Sequence, residues 1–148
     1  MQESEVKYRE DIRKQLVAVG IKNDTRPMDG QSAVLANVNI VYDNDLTGVN
    51  MGLFYNWRGE TYAAGDTASP NDYFPAIVEN PIGTLDFVIG YKFRYGESRY
   101  SPIWRVGLEF KNLLDPPIET VYRTPYEDFK RTSYTMGRIY GFSLGCSW

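Results

Sequence analysis

The sequence predicts an all-β fold, an antiparallel sheet that forms part of a transmembrane β-barrel. Three observations lead there. Long runs alternate apolar and polar residues with period two, the connections between runs alternate long and short, and Tyr and Trp gather at the run ends on the apolar face. No stretch approaches the roughly 18 consecutive apolar residues of a helical span, so strands are the only expected way across a bilayer.

Residues 32–42 form the first run, with Val34, Ala36, Val38, Ile40 and Tyr42 on one face and Asn37 and Asn39 on the other. The turn-forming residues 43–48 follow, and then Val49, Met51, Leu53, Tyr55 and Trp57 alternate with Asn50, Gly52, Asn56 and Arg58, which predicts a hairpin. A third run sets Leu85, Phe87, Ile89, Tyr91, Phe93 and Tyr95 against Thr84, Asp86, Gly90, Lys92 and Arg94. Beyond residues 96–101 a fourth sets Trp104, Val106, Leu108 and Phe110 against Arg105, Gly107, Glu109 and Lys111, making a second hairpin. The last run places Tyr140, Phe142, Leu144, Cys146 and Trp148 opposite Gly141, Ser143, Gly145 and Ser147. Near the N-terminus, residues 4–8 read as the end of another strand. Residues 9–21 read as a short amphipathic helix with Ile12, Leu16 and Val19 on one side.

Connection lengths separate a membrane barrel from a soluble one, because membrane barrels have short turns at one end and long loops at the other. Here residues 9–31, 59–83 and 113–137 are the long connections, and 43–48 and 96–101 the short ones. Tyr42, Tyr95, Trp104 and Trp148 fall at short-turn ends, and Tyr55, Trp57, Phe110 and Tyr140 toward long-loop ends, as two interfacial girdles would. Each run has about the 9 to 11 residues of a tilted transmembrane strand. Leu35, Val41, Phe54, Val88 and Ile103 are apolar on the otherwise polar face; in a plugged barrel they would pack against the plug.

Composition narrows the functions. The 148 residues carry a net charge of −3 and no Lys/Arg run interleaved with aromatics, so no nucleic-acid surface is expected. The chain has no His, which removes imidazole metal sites and Ser-His-Asp or Cys-His catalysis, and no cofactor or enzyme activity is expected. Asp43, Asp45 and Asp66 lack the oxygen-rich spacing of a calcium loop, so no metal site is assigned. The charged N-terminus lacks the apolar centre of a secretory signal, so the start of an exported protein is expected to be missing.

The C-terminal half carries KNLLD at residues 111–115 and YTMGRIYGFSLGCSW at residues 134–148. These resemble the Asn-Leu-x-Asp that ends the penultimate strand of TonB-dependent outer-membrane receptors, and their Gly-Arg-x-Tyr-Gly-x-Ser-Leu ending on an aromatic. RPMDGQSAVLANVNIVYDN (residues 26–44) and VENPIGTLDFVIGYKF (residues 78–93) resemble strands of the same family. Cys146 departs from the pattern, which usually has an aromatic there. The resemblance implies the C-terminal part of a barrel of about 22 strands, with this chain supplying about the last six and lacking the plug. It further implies energy-coupled uptake of a siderophore, corrinoid, carbohydrate or peptide across the bacterial outer membrane. The implied partners are membrane lipid and lipopolysaccharide, the remainder of the barrel and its plug, the TonB complex reached through that plug, and the barrel assembly machinery. Gly141, Phe142, Leu144 and Trp148 match the assembly signal of such barrels. Trp57, Tyr62, Tyr73, Phe74, Tyr122, Tyr126 and Phe129, all in or beside long connections, are the candidate ligand contacts. The competing expectation is a soluble β-barrel that binds a small apolar ligand inside; an outer-membrane enzyme is the weakest reading, since no paired carboxylates stand out.

Overall fold

A computed structural model describes residues 5–32, 34–69, 71–96 and 101–148. The chain is all-β and mostly antiparallel, with one short helix, and it divides into two compact units. One comprises residues 36–57, 83–116 and 136–148; the other comprises residues 1–35, 58–82 and 117–135.

The first is a five-stranded sheet built from the runs that alternate most cleanly. Numbered with the whole chain, its strands are β3 (Leu35–Asn44), β4 (Val49–Arg58), β9 (Ile82–Arg94), β10 (Ile103–Lys111) and β13 (Ile139–Ser147), in the order β13-β10-β9-β4-β3. Each strand lies beside its neighbour in chain order, an up-and-down meander. Both expected hairpins form, β3 with β4 and β9 with β10. Gly48 closes the first, donating its amide to Asn44 at 2.8 Å, while its carbonyl accepts from the Lys92 amide at 2.7 Å and joins β4 to β9. The turn between β9 and β10 falls largely on residues 97–100, outside the described residues.

Register stacks the apolar residues in rows. Phe87, Phe110 and Tyr140 share one; Ile89, Leu108 and Phe142 the next; then Tyr91, Val106 and Leu144; then Phe93, Trp104 and Cys146. Phe110 packs 6.0 Å from Phe87 and edge-on to Tyr140 at 5.9 Å, distances at which aromatic pairs attract. The sheet nevertheless has no buried side chain of its own: Tyr55, Tyr91, Leu108, Tyr140, Phe142 and Leu144 are all exposed. Its outermost strands, β3 and β13, are open edges.

The KNLLD residues turn β10 into a clasp. Asn112 and Asp115 take left-handed backbone angles, φ 56 and 46, which Asn and Asp tolerate better than most residues. The Asn112 amide donates to the Asp86 carboxylate at 2.8 Å, and its side-chain amide to the Gly137 carbonyl at 2.8 Å. Gly137 donates back to Asp115 at 2.9 Å, and Arg138 Nε to the Leu113 carbonyl at 2.9 Å. The end of β10 is thereby tied to the start of β13.

The second unit collects the three long connections, and they are not loops throughout. A ribbon pairs β1 (Glu5–Lys7) with β2 (Thr25–Pro27), flanking α1 (Glu10–Ala18). A four-stranded sheet runs β12-β11-β8-β5, from β5 (Thr61–Ala64), β8 (Ala76–Glu79), β11 (Ile118–Arg123) and β12 (Asp128–Tyr134). β6 (Thr67–Ala68) pairs with β7 (Tyr73–Phe74). The expected helix is present, with Leu16 fully buried and Ile12 and Val19 half-buried. Ile21 and Gly20 donate back to the Leu16 and Val17 carbonyls at 3.0 and 3.1 Å, a Schellman stop that needs the positive φ of Gly20. Register aligns Tyr62, Val78 and Val121 in one row, and Val78, Val121 and Ala76 make a buried cluster with Tyr62 packed on it.

The strand expected over residues 4–8 is present as β1, where residues 5–7 pair with residues 25–27 in the second unit and not with the sheet of long strands, which has five members.

Candidate functional site

A cavity of about 180 Å³ lies within the second unit and is lined by all three long connections. Arg26 comes from the first, Tyr62, Asp66 and Tyr73 from the second, and Arg123 from the third, with Tyr8 added from just before the first. Short hydrogen-bonded links set these positions: Tyr8 donates its amide to Asp24 at 3.1 Å, Gly30 to Tyr62 at 2.6 Å, and Ser32 Oγ to Gly59 at 2.9 Å.

Both cations in the wall are already paired. Arg26 is bound by Asp29, and Arg123 by Glu60 and by Asp128. These pairs hold both guanidinium groups above their ordinary pKa despite partial burial. The Tyr8 hydroxyl donates to Asp66. Burial, then that hydrogen bond, raise the Tyr8 phenol well above the usual tyrosine range, and burial raises Tyr73 as well. The Tyr73 hydroxyl oxygen is buried and has no hydrogen-bond partner among the described residues. Such a group is costly to leave unpaired.

The five-stranded sheet carries a second, more open concavity of about 430 Å³. Asn50, Gly90, Gly107 and Ser143 form its floor, with Lys92 and Arg105 toward one side and Glu109 toward the other. Lys92 stands directly opposite Arg105 across β9 and β10, a like-charge pair that costs stability unless something acidic or wet faces it. A Cβ at Gly107 would come within 2.5 Å of Ser143 Oγ, so a side chain here would have to turn that hydroxyl aside.

Of the expected ligand contacts, Tyr62 and Tyr73 are brought together in the cavity of the second unit. Phe74 is exposed on β7 and outside that lining, and Tyr126 and Phe129 are exposed at and just beyond the β11–β12 turn. Tyr122 is engaged on its own sheet: Arg131 lies 5.7 Å above its ring and donates to its hydroxyl at 3.1 Å. Trp57 belongs to the five-stranded unit. Among the expected assembly-signal residues, Gly141 pairs with Glu109, Phe142 with Leu108 and Leu144 with Val106, on a strand whose other edge is open; Trp148 follows β13 and is exposed.

Sequence reasoning missed Tyr8, Arg26 and Arg123 and weighed Asp66 only as a calcium ligand. Arg26 and Arg123 each stand three or five residues before an aspartate, Asp29 and Asp128, a spacing that could have marked fixed guanidinium groups. Tyr8 carried no local signal. Compared with known proteins, the chain matches no family model, no curated protein and no solved structure.

Proposed function

We propose that this chain is the C-terminal wall and external loop cluster of a TonB-dependent outer-membrane receptor that takes up a nutrient with energy supplied through TonB. The observation that carries the reading is the five-stranded meander, in which strands of 9 to 13 residues stack their apolar side chains in half-buried to exposed rows while, among the described residues, every buried hydrophobic residue lies in the other unit. A sheet with an apolar face and no core of its own is untenable in water and ordinary against lipid. Its other face, with Asn50, Lys92, Arg105, Glu109 and Ser143, has the polarity of a barrel interior. The open edges on β3 and β13 would be completed by the rest of the barrel.

On this reading the second unit is external and offers the ligand its first contacts. The plug and the TonB complex act on parts outside these residues, lipid and lipopolysaccharide cover the apolar rows, and the barrel assembly machinery takes hold of β13. Whole-cell labelling tests the topology. With Cys146 replaced by Ser, a cysteine at Ser69 or Pro125 should react with a membrane-impermeant thiol reagent, and one at Asp45 should not. The reverse pattern would invert the topology, and a protein that stays monomeric in water without detergent would favour the soluble barrel instead.

A further inference from the structure

We propose that the cavity of the loop unit is a site for a primary ammonium group, the charged end of a small organic amine. The inference goes beyond the receptor reading, which leaves the charge of the ligand open, and it holds whether or not the long strands lie in a membrane. Volume sets the size: at about 180 Å³ the cavity is below the roughly 300–1,000 Å³ of sites that hold a whole drug-sized ligand, so it takes an ammonium group and a few carbons. Tyr8, Tyr62 and Tyr73 line it. A sphere of that volume has a radius of about 3.5 Å, so a cation inside it falls within the roughly 6 Å over which an aromatic ring attracts one.

Charge sets the class. The charged lining groups, with the carboxylates bound to them, are Arg26 and Arg123 against Asp29, Glu60, Asp66 and Asp128, a surplus of two negative charges. Arg26 is held by one carboxylate and Arg123 by two, so neither opposes a cation as a free guanidinium would. The titrations carry the same sign. After burial, Asp66 helps to hold the proton on Tyr8 and on Tyr73, and after Asp29 it does so on Arg26. Hydrogen bonding selects among cations. Asp66 Oδ1 accepts from the Tyr8 hydroxyl, and its second oxygen has no partner among the described residues. An ammonium group, with three donors and no acceptor, answers that oxygen. A calcium ion needs six or more oxygen ligands, and among the described residues no three Asp, Glu, His or Cys side chains gather to hold a metal.

Saturation-transfer NMR on the detergent-solubilised protein, as its host expresses it, tests the proposal with n-butylammonium, n-butanol and butyrate, three probes of similar size and different charge. Butylammonium should bind at least about tenfold more tightly than butanol, and butyrate should not bind. Asp66→Asn should weaken butylammonium about tenfold, and so should Asn23→Lys, which adds a cation at an exposed lining position; Asp45→Asn, the same charge change in a short turn of the other unit, should leave it unchanged. No binding of butylammonium, equal binding of butanol, displacement by equimolar calcium, or binding unmoved by both site variants would each overturn it. Heat-modified migration on gels, measured on every variant, reports the folded barrel separately. A folded barrel that binds no amine removes this inference and leaves the receptor reading, whereas amine binding by a water-soluble monomer does the opposite. If Asp66→Asn fails to fold, Asn23→Lys and the order of the three probes on the native protein decide.

Discussion

Arginine at Val106 measures what covers the apolar rows. Val106 is one residue from the middle of β10, between Tyr91 on β9 and Leu144 on β13, so on the membrane reading it faces the bilayer near its midplane. There an arginine costs about 2–4 kcal/mol, falling to about 0–1 near the interfaces. The first range weakens the folding equilibrium about 30- to 700-fold. Cys146 lies on the same face but one row nearer the short-turn end, and Ser143 lies exposed on the opposite face. The expected order is therefore a large cost for Val106→Arg, a smaller one for Cys146→Arg and the smallest for Ser143→Arg. Ser143 is a better control than Gly107, where any side chain would meet Ser143 Oγ. Reversible folding from urea into lipid vesicles gives the three free energies. Equal costs at Val106 and Ser143 would refute the two-faced sheet, and equal costs at Val106 and Cys146 would replace the bilayer by a uniform protein core.

Other perturbations address the clasp, the loop unit and assembly. Asp115→Ala removes the acceptor of the half-buried Gly137 amide and should destabilise the β10–β13 connection by about 1–3 kcal/mol, read from the same vesicle titration; a change below a few tenths would make the clasp incidental. Because burial and Asp66 raise the Tyr8 pKa in the folded state, its contribution is full below the unfolded value of about 10 and is lost as pH rises toward the folded one. Melting temperature should accordingly fall between pH 9.5 and 11 more steeply in the native protein than in Tyr8→Phe, and equal slopes would remove Tyr8 as the cause. Deleting Trp148, or changing Phe142 and Leu144 to Asp, should slow the appearance of heat-modifiable barrel in pulse-chase; normal kinetics after the Trp148 deletion would reject the assembly signal and leave the barrel.

The five long strands were legible because period two is a local signal, repeated over nine or more residues and fixed by which face each side chain must take. Their order followed from the hairpins and the short turns. The loop sheet was not legible for the opposite reason. β5 and β8 have four residues each, and the row that makes their core joins Tyr62, Val78 and Val121 across separations that no local pattern records. The ending KNLLD could be matched as letters, but its function as a clasp needed Asp86 and Gly137, which lie 26 and 22 residues from their partners.

Tyrosine shows the limit of composition most directly. Twelve of them suggested membrane interfaces, and Tyr140 does end an exposed apolar row beside Phe110. Tyr62, though, packs on the Val78 and Val121 cluster, Tyr122 is held under Arg131, and Tyr8 and Tyr73 face a polar cavity. The side chain suits all these places because its ring is apolar and its hydroxyl is not. What separates the roles is the partner of the hydroxyl: Asp66 for Tyr8, Arg131 for Tyr122, and for Tyr73 none among the described residues.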